Sequence, residues 1–186
     1  MAFSEQQIIS QCQQGQLESF GSLYDSYIKK IYNFIYYKTH HQQTAEDLTS
    51  QTFLKALAKI NQFDIAKGHF STWLYQIARN TVIDHYRTSR SEIDIQDVWD
   101  LSSDTDIAKD AEIKDQLETV EKYLNQLDSN QREIIILRVW EQMSYKEIAE
   151  IVGKSEAGCK MMFLRSIEKL RLTIPLAVYL LFLSRL

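Results

Sequence analysis

The chain has 186 residues, 45 % hydrophobic and 25 % charged, with one proline, five glycines and two cysteines. So few turn-forming residues exclude a sandwich or barrel built on many tight turns, and the length suits one ordinary domain or two small ones. The net charge of −4 is unevenly spread: residues 91–128 hold twelve acids against Lys109, Lys114 and Lys122, a local −9 that leaves the flanking blocks together at +5, so a nucleic-acid partner is not excluded.

In chain order, Ser4 and Gln7 have the spacing of a capping box opening a first short helix, and Gly15 separates it from the next. A long amphipathic helix follows, with Leu17, Phe20, Leu23, Tyr24, Tyr27, Ile28, Ile31, Tyr32, Phe34 and Ile35 at spacings of three and four. A third helix is expected to begin at Thr44, with Leu48, Ala56, Leu57 and Ile60 inward. Asp47, Gln51, Thr52 and Lys55 then offer a polar docking surface for a partner helix, or a solvated face. After a loop from Asn61 to His69, a fourth helix opens near Ser71 with Trp73, Leu74, Ile77, Ala78 and Val82 on its buried face. Phe63, Lys67, His69, Ser71, Thr72, Gln76, Arg79, Asn80 and Arg87 combine an aromatic, cations and amides, a mixture suited to unstacked bases and phosphates of a single strand. Trp73 is read as core rather than as a stacking platform.

Between Thr88 and Asp110 helical periodicity fades and acids accumulate, which reads as a tethering linker. The helical pattern resumes through Leu117, Val120 and Leu124. The turn Asp128-Ser129-Asn130 precedes another helix with Ile134, Ile135 and Leu137 inward. Ser144 and Glu147 form a second capping box, Gly153 ends that helix, and Ser155 caps the next, which buries Cys159, Phe163, Ile167 and Leu170. This layout is a helix-turn-helix whose second helix would set Glu156, Ala157, Lys160, Met161 and Arg165 against a major groove, with an ordinary helical hairpin as the plainer reading. The expected architecture is all-α: two small helical domains, residues 1–90 and 112–173, on a flexible acidic linker, residues 91–111, with an apolar tail, residues 174–186.

That tail holds Pro175 and is shorter than the about 20 residues needed to span a bilayer. Packing on its own domain, docking of a regulatory protein and peripheral membrane contact stay open for it. An enzyme is not expected: no phosphate-cradling glycine loop or nucleophile elbow occurs, and His40, His41, Glu46 and Asp47 lack a defined ligand geometry. No metal or other cofactor and no small-molecule substrate are expected. Cys12 and Cys159 read as reduced cytoplasmic thiols.

Together these segments resemble the extracytoplasmic-function group of bacterial RNA polymerase sigma factors. The resemblance rests on Phe20-Gly21-Ser22-Leu23-Tyr24, on Ala45-Glu46-Asp47-Leu48-Thr49-Ser50-Gln51-Thr52-Phe53, and on Phe70-Ser71-Thr72-Trp73-Leu74-Tyr75-Gln76-Ile77-Ala78-Arg79-Asn80 followed by Asp84 and Arg87. In the second block it rests on Leu127, Gln131-Arg132-Glu133 and Ser144-Tyr145-Lys146-Glu147-Ile148-Ala149 through Gly153. It implies that residues 1–90 form a region 2-like domain, which grips the clamp helices of the polymerase's largest subunit through Asp47, Gln51, Thr52 and Lys55. The residues from Phe63 to Arg87 named above would melt the minus-ten element. Residues 112–173 would form a region 4-like domain that meets the flap of the second-largest subunit and reads the minus-thirty-five element through Lys154, Ser155, Glu156, Ala157, Lys160, Met161 and Arg165. It further implies an anti-sigma factor and a cytoplasmic location, with a regulatory partner able to hold the protein at the membrane. Gly158, Met161 and Met162 depart from the hydroxyl or basic residues the family pattern leads one to expect there. The competing reading is a helix-turn-helix regulator whose first block senses a signal or dimerises.

Overall fold

The computed structural model describes residues 4–89, 124 and 126–172. The expected linker, residues 91–111, and the tail, residues 174–186, lie outside the described residues. The chain divides into two units, Met1–Glu92 and Ile93–Leu186, and the described residues of both are helical, as the composition led us to expect.

The first unit holds α1 (Glu5–Gln13), α2 (Phe20–Thr39), α3 (Gln42–Lys59) and α4 (Phe70–Ser89). Ser4 and Gln7 close the expected capping box, and Gly15, at φ 94°, turns the chain after α1. The core is assembled from Ile9 and Cys12 of α1, Leu23, Ile31, Phe34 and Ile35 of α2, Ala45, Leu48, Phe53 and Ala56 of α3, and Leu74, Tyr75, Ala78 and Val82 of α4. The expected apolar face of α2 is only partly sealed: Leu17 lies in a short 3-10 turn before α2, both it and Tyr24 are exposed, and Tyr27, Ile28 and Tyr32 are half-buried. Tyr24 still sets its ring edge-on to Phe53 at 4.8 Å.

The junction of α2 and α3 also differs from expectation. His40 takes the left-handed conformation that ends α2, at φ 48°, and its N–H donates to the Tyr36 carbonyl at 2.8 Å. The next residue, His41, caps α3: its Nδ1 accepts the Thr44 N–H at 3.2 Å, so α3 starts at Gln42 rather than at Thr44. A ring nitrogen here does the capping that a hydroxyl or carboxylate oxygen does at most helix starts. Before α4, the Gln13 amide of α1 donates to the carbonyls of Ile60 and Phe63 at 3.0 and 2.7 Å, pinning the start of the loop that leads into α4. Tyr27 of α2 donates its hydroxyl to Glu5 of α1 at 2.6 Å; burial and this carboxylate both push the phenol above its ordinary pKa.

The second unit holds α5 (Ser129–Ile135), a π-helical turn Ile136–Trp140, α6 (Tyr145–Val152) and α7 (Glu156–Arg171). Asp128 and Gln131 cap α5, and the buried Arg132 guanidinium donates to the Leu124 and Leu127 carbonyls at 3.1 and 3.2 Å. Arg138 donates to the Met143 carbonyl at 2.7 Å and lies over the Tyr145 ring, steadying the entry to α6. Ile134, Ile135, Leu137, Ile148, Ile151, Cys159, Phe163 and Leu170 form the core. Ser166 is buried with them, donating to the Met162 carbonyl at 2.7 Å, while Ile167 is only half-buried. Cys12 and Cys159 are free thiols, and burial raises both above the usual cysteine range.

The turn between α6 and α7 depends on two glycines in different ways. Gly153, at φ 69°, donates to the Ala149 carbonyl, as does Lys154, so the chain reverses within two residues. A Cβ at 153 would meet nothing within 4 Å, so Gly153→Ala costs backbone conformation alone, about 1 kcal/mol of stability in chemical denaturation. Gly158 supplies the N–H that Ser155 Oγ accepts at 3.1 Å, and a Cβ there would stand 2.9 Å from that oxygen. The about 1 kcal/mol of helix propensity gained in Gly158→Ala is therefore offset by disturbing a cap of similar value, and denaturation should show no net stabilisation.

Candidate nucleic-acid and polymerase interfaces

On α3, Asp47, Ser50, Gln51, Leu54 and Ala58 are exposed and recur at three and four residues, one row along one side of the helix. Asp47 and Gln51 thus stand where the sequence put them. Thr52 does not: it is wholly buried, its hydroxyl donating to the Leu48 carbonyl at 2.7 Å within the helix. Lys55 is half-buried and turns toward α4, where its Nζ donates to Thr81 Oγ1 at 3.1 Å. The sequence reading missed Leu54, which is 66 % exposed in the middle of the row. Its spacing of seven from Asp47 and three from Gln51 could have found it, since an apolar residue in phase with a polar row is out of phase with the core.

On α4, His69, Gln76, Arg79, Asn80, Ile83 and Arg87 share a side at spacings of three and four, opposite the buried Leu74 and Ala78. His69, Asn80 and Arg87 are exposed, and Gln76 and Arg79 are half-buried. Three other candidates do not join this row. Thr72 is in phase with it but only 3 % exposed. Ser71 is half-buried on the inward side, in phase with Tyr75, Ala78 and Val82. Phe63 is buried, with its ring centroid 5.6 Å from Phe70 and 5.2 Å from Trp73. Trp73 itself is half-buried at the edge of this aromatic cluster rather than sealed in the core, and so is Ile77. In the loop before α4, Lys67 pairs with Asp64 at 2.9 Å, and together with the Ala66 N–H holds that carboxyl below its usual range.

On α7 and the turn before it, the candidate residues are on the surface. Lys154 and Ser155 just before the helix, and Glu156, Ala157, Lys160, Met161 and Arg165 along its first three turns, are all exposed. The two methionines divide: Met161 is 50 % exposed beside Lys160, whereas Met162 is half-buried. Leu164, equally exposed, adds an apolar group beside Arg165 that the sequence reading did not include. Such a surface offers two lysines and an arginine to phosphates or guanine edges and apolar atoms to thymine methyls. No group of three or more metal-ligating side chains occurs among the described residues, and no helix there is long and apolar enough to cross a membrane.

Comparison with known proteins agrees with this division. Residues 23–92 match Sigma-70 region 2, and residues 117–170 match Sigma-70 region 4. The chain is 32 % identical to the ECF RNA polymerase sigma factor SigM of Bacillus subtilis over 80 % of its own length and 91 % of SigM. It is also 32 % identical to the ECF sigma factor BldN of Streptomyces coelicolor, over 91 % of its own length but only 65 % of BldN. Among solved structures, it resembles CnrH in complex with the cytosolic domain of CnrY, at TM-score 0.67 and 24 % identity, covering 88 % of this chain and 92 % of that one. It also resembles the sigma factor RpoE in complex with the anti-sigma factor NepR from Bartonella quintana, at TM-score 0.68 and 25 % identity, covering 83 % and 95 %. A region 2 helical unit followed by a region 4 helix-turn-helix, with relatives of this identity and coverage, places the chain in the extracytoplasmic-function group of RNA polymerase sigma factors.

Proposed function

We propose that the two units divide promoter recognition between them. Residues 1–90 engage polymerase and the minus-ten strand, residues 112–173 read the minus-thirty-five duplex, and the acidic segment between them serves as a tether. In the first unit the row Asp47, Ser50, Gln51, Leu54 and Ala58 meets the clamp helices of the largest polymerase subunit, with Leu54 as its apolar anchor. The adjoining row on α4 then takes the non-template strand: Arg79 and Arg87 neutralise phosphates, and the amides of Gln76 and Asn80 hydrogen-bond bases once they leave the stack. His69 and Lys67 extend this surface into the loop that precedes α4.

The observation that carries this reading is the presence of both rows on neighbouring helices of one unit. A sensor or dimerisation domain attached to a helix-turn-helix has no use for a cationic and amide row beside a docking row, so the regulator reading is not favoured. The polymerisation chemistry belongs to the partner enzyme, and this chain contributes binding and strand capture without a catalytic step. In the second unit Lys160 and Arg165 meet phosphates or guanine edges, while Met161 and Leu164 approach thymine methyls. The complex of the similar RpoE with NepR supports a protein inhibitor for this chain as well.

Three outcomes follow for assays with core RNA polymerase and a promoter selected from random sequence. Leu54→Asp should weaken core binding by about tenfold or more in a fluorescence titration, as expected for a charge placed at an apolar anchor. Asn80→Ala combined with Arg79→Ala should reduce strand opening, read by permanganate reactivity, while leaving affinity for minus-thirty-five duplex unchanged. Lys160→Ala should weaken that duplex binding and lower the slope of log affinity against log salt by about 1 if the lysine neutralises a phosphate. Retention of full core binding by Leu54→Asp would remove the docking row from the account.

A further inference from the structure

The contact between α3 and α4 contains a polar link that neither exposed row uses. Lys55 follows Leu54 in the chain, yet its Nζ donates to Thr81 Oγ1 at 3.1 Å and approaches Asp84 at 4.0 Å. Thr81 is 1 % exposed and follows Asn80. An ion pair at 4.0 Å between side chains as solvated as these contributes little, so the directional part of the link is the bond from the ammonium to the buried hydroxyl. Apolar contact between helices is non-directional, so burial by itself sets no bond length or angle between α3 and α4. A charge-assisted hydrogen bond has a defined length and angle, and this one ties one turn of α3 to one turn of α4.

We infer that Lys55 is a positioning residue: it locks the turn of α4 that carries Asn80 to the turn of α3 that carries Leu54. Docking of α3 on polymerase thereby sets where the strand-capturing row of α4 stands. This inference rests on the assignment of the two rows given above, and it withdraws Lys55 from the docking surface itself.

The test uses the full-length chain with core polymerase, well below its unfolding temperature. Thr81→Val removes the acceptor at nearly constant shape, at a buried site that cannot touch polymerase. Lys55→Met removes the donor and keeps the apolar stem. Both variants should bind core polymerase within about twofold of the unsubstituted protein, yet open promoter at saturating polymerase about fivefold less, the scale of one hydrogen bond. The double variant should lose no more than either single one, and Lys55→Arg, which keeps a donor, should recover most of the opening. A general folding defect would lower core binding and opening together, so the split between them is the diagnostic readout. The inference is overturned if Lys55→Met weakens core binding while Thr81→Val does not, if either leaves opening unchanged, or if their effects multiply. Failure of the unsubstituted protein to bind core polymerase would instead overturn the assignment of the rows, and the coupling with it.

Discussion

The burial of one row on α4 determines what the rest of the first unit presents. Leu74, Ala78 and Val82 are completely shielded from solvent, and a helix turned 100° per residue that commits these positions inward must hold Gln76, Asn80, Ile83 and Arg87 outward. The same holds on α3, where burial of Ala45, Leu48 and Ala56 leaves Asp47, Gln51 and Leu54 outside. Hydrophobic burial at about 25 cal/mol per Å² supplies the driving force for that orientation. Which side chains each helix turns outward follows from that burial.

The second unit meets a different constraint, because its two exposed helices must cross within a very short turn. Gly153 makes the reversal, Ser144 and Ser155 satisfy N–H groups that would otherwise be left open at the helix starts, and Arg132 and Arg138 each donate to carbonyls beyond their own helices. Ser155 and Gly158 act as a pair: the hydroxyl sits so close to the glycine that the missing side chain belongs to the cap geometry. The glycine in the first turn of α7 leaves the cap the space a side chain would take.

Much of this was legible in the sequence, and the failures have a common physical form. Capping boxes at Ser4 and Ser144, the glycine turn at 153 and the entire exposed set on α7 follow from local rules, in which a residue and its partner lie three or four positions apart. The errors fall where a distant segment decides. Thr72 is in phase with the exposed row of α4, yet it is buried. Phe63 was read by composition as a base-stacking group, but its ring closes an aromatic cluster with Phe70 and Trp73. Thr52 and Lys55 look like surface polar residues in one helix considered alone; one bonds its own backbone, and the other reaches a second helix 26 residues along the chain. Leu54 was missed for the opposite reason, since a leucine is assigned to the core by type before its phase is checked.

The central claim is that α3 and α4 present two rows to two different partners, polymerase and unpaired DNA. Photo-crosslinking tests it most directly, with a reactive amino acid placed at Ser50 or at Ile83 in separate full-length proteins assembled with core polymerase on promoter DNA. The account predicts that the group at position 50 captures the largest polymerase subunit and that the group at position 83 captures the non-template strand, only after the promoter opens. Capture of DNA from position 50, or of the polymerase subunit in place of DNA from position 83, would contradict it.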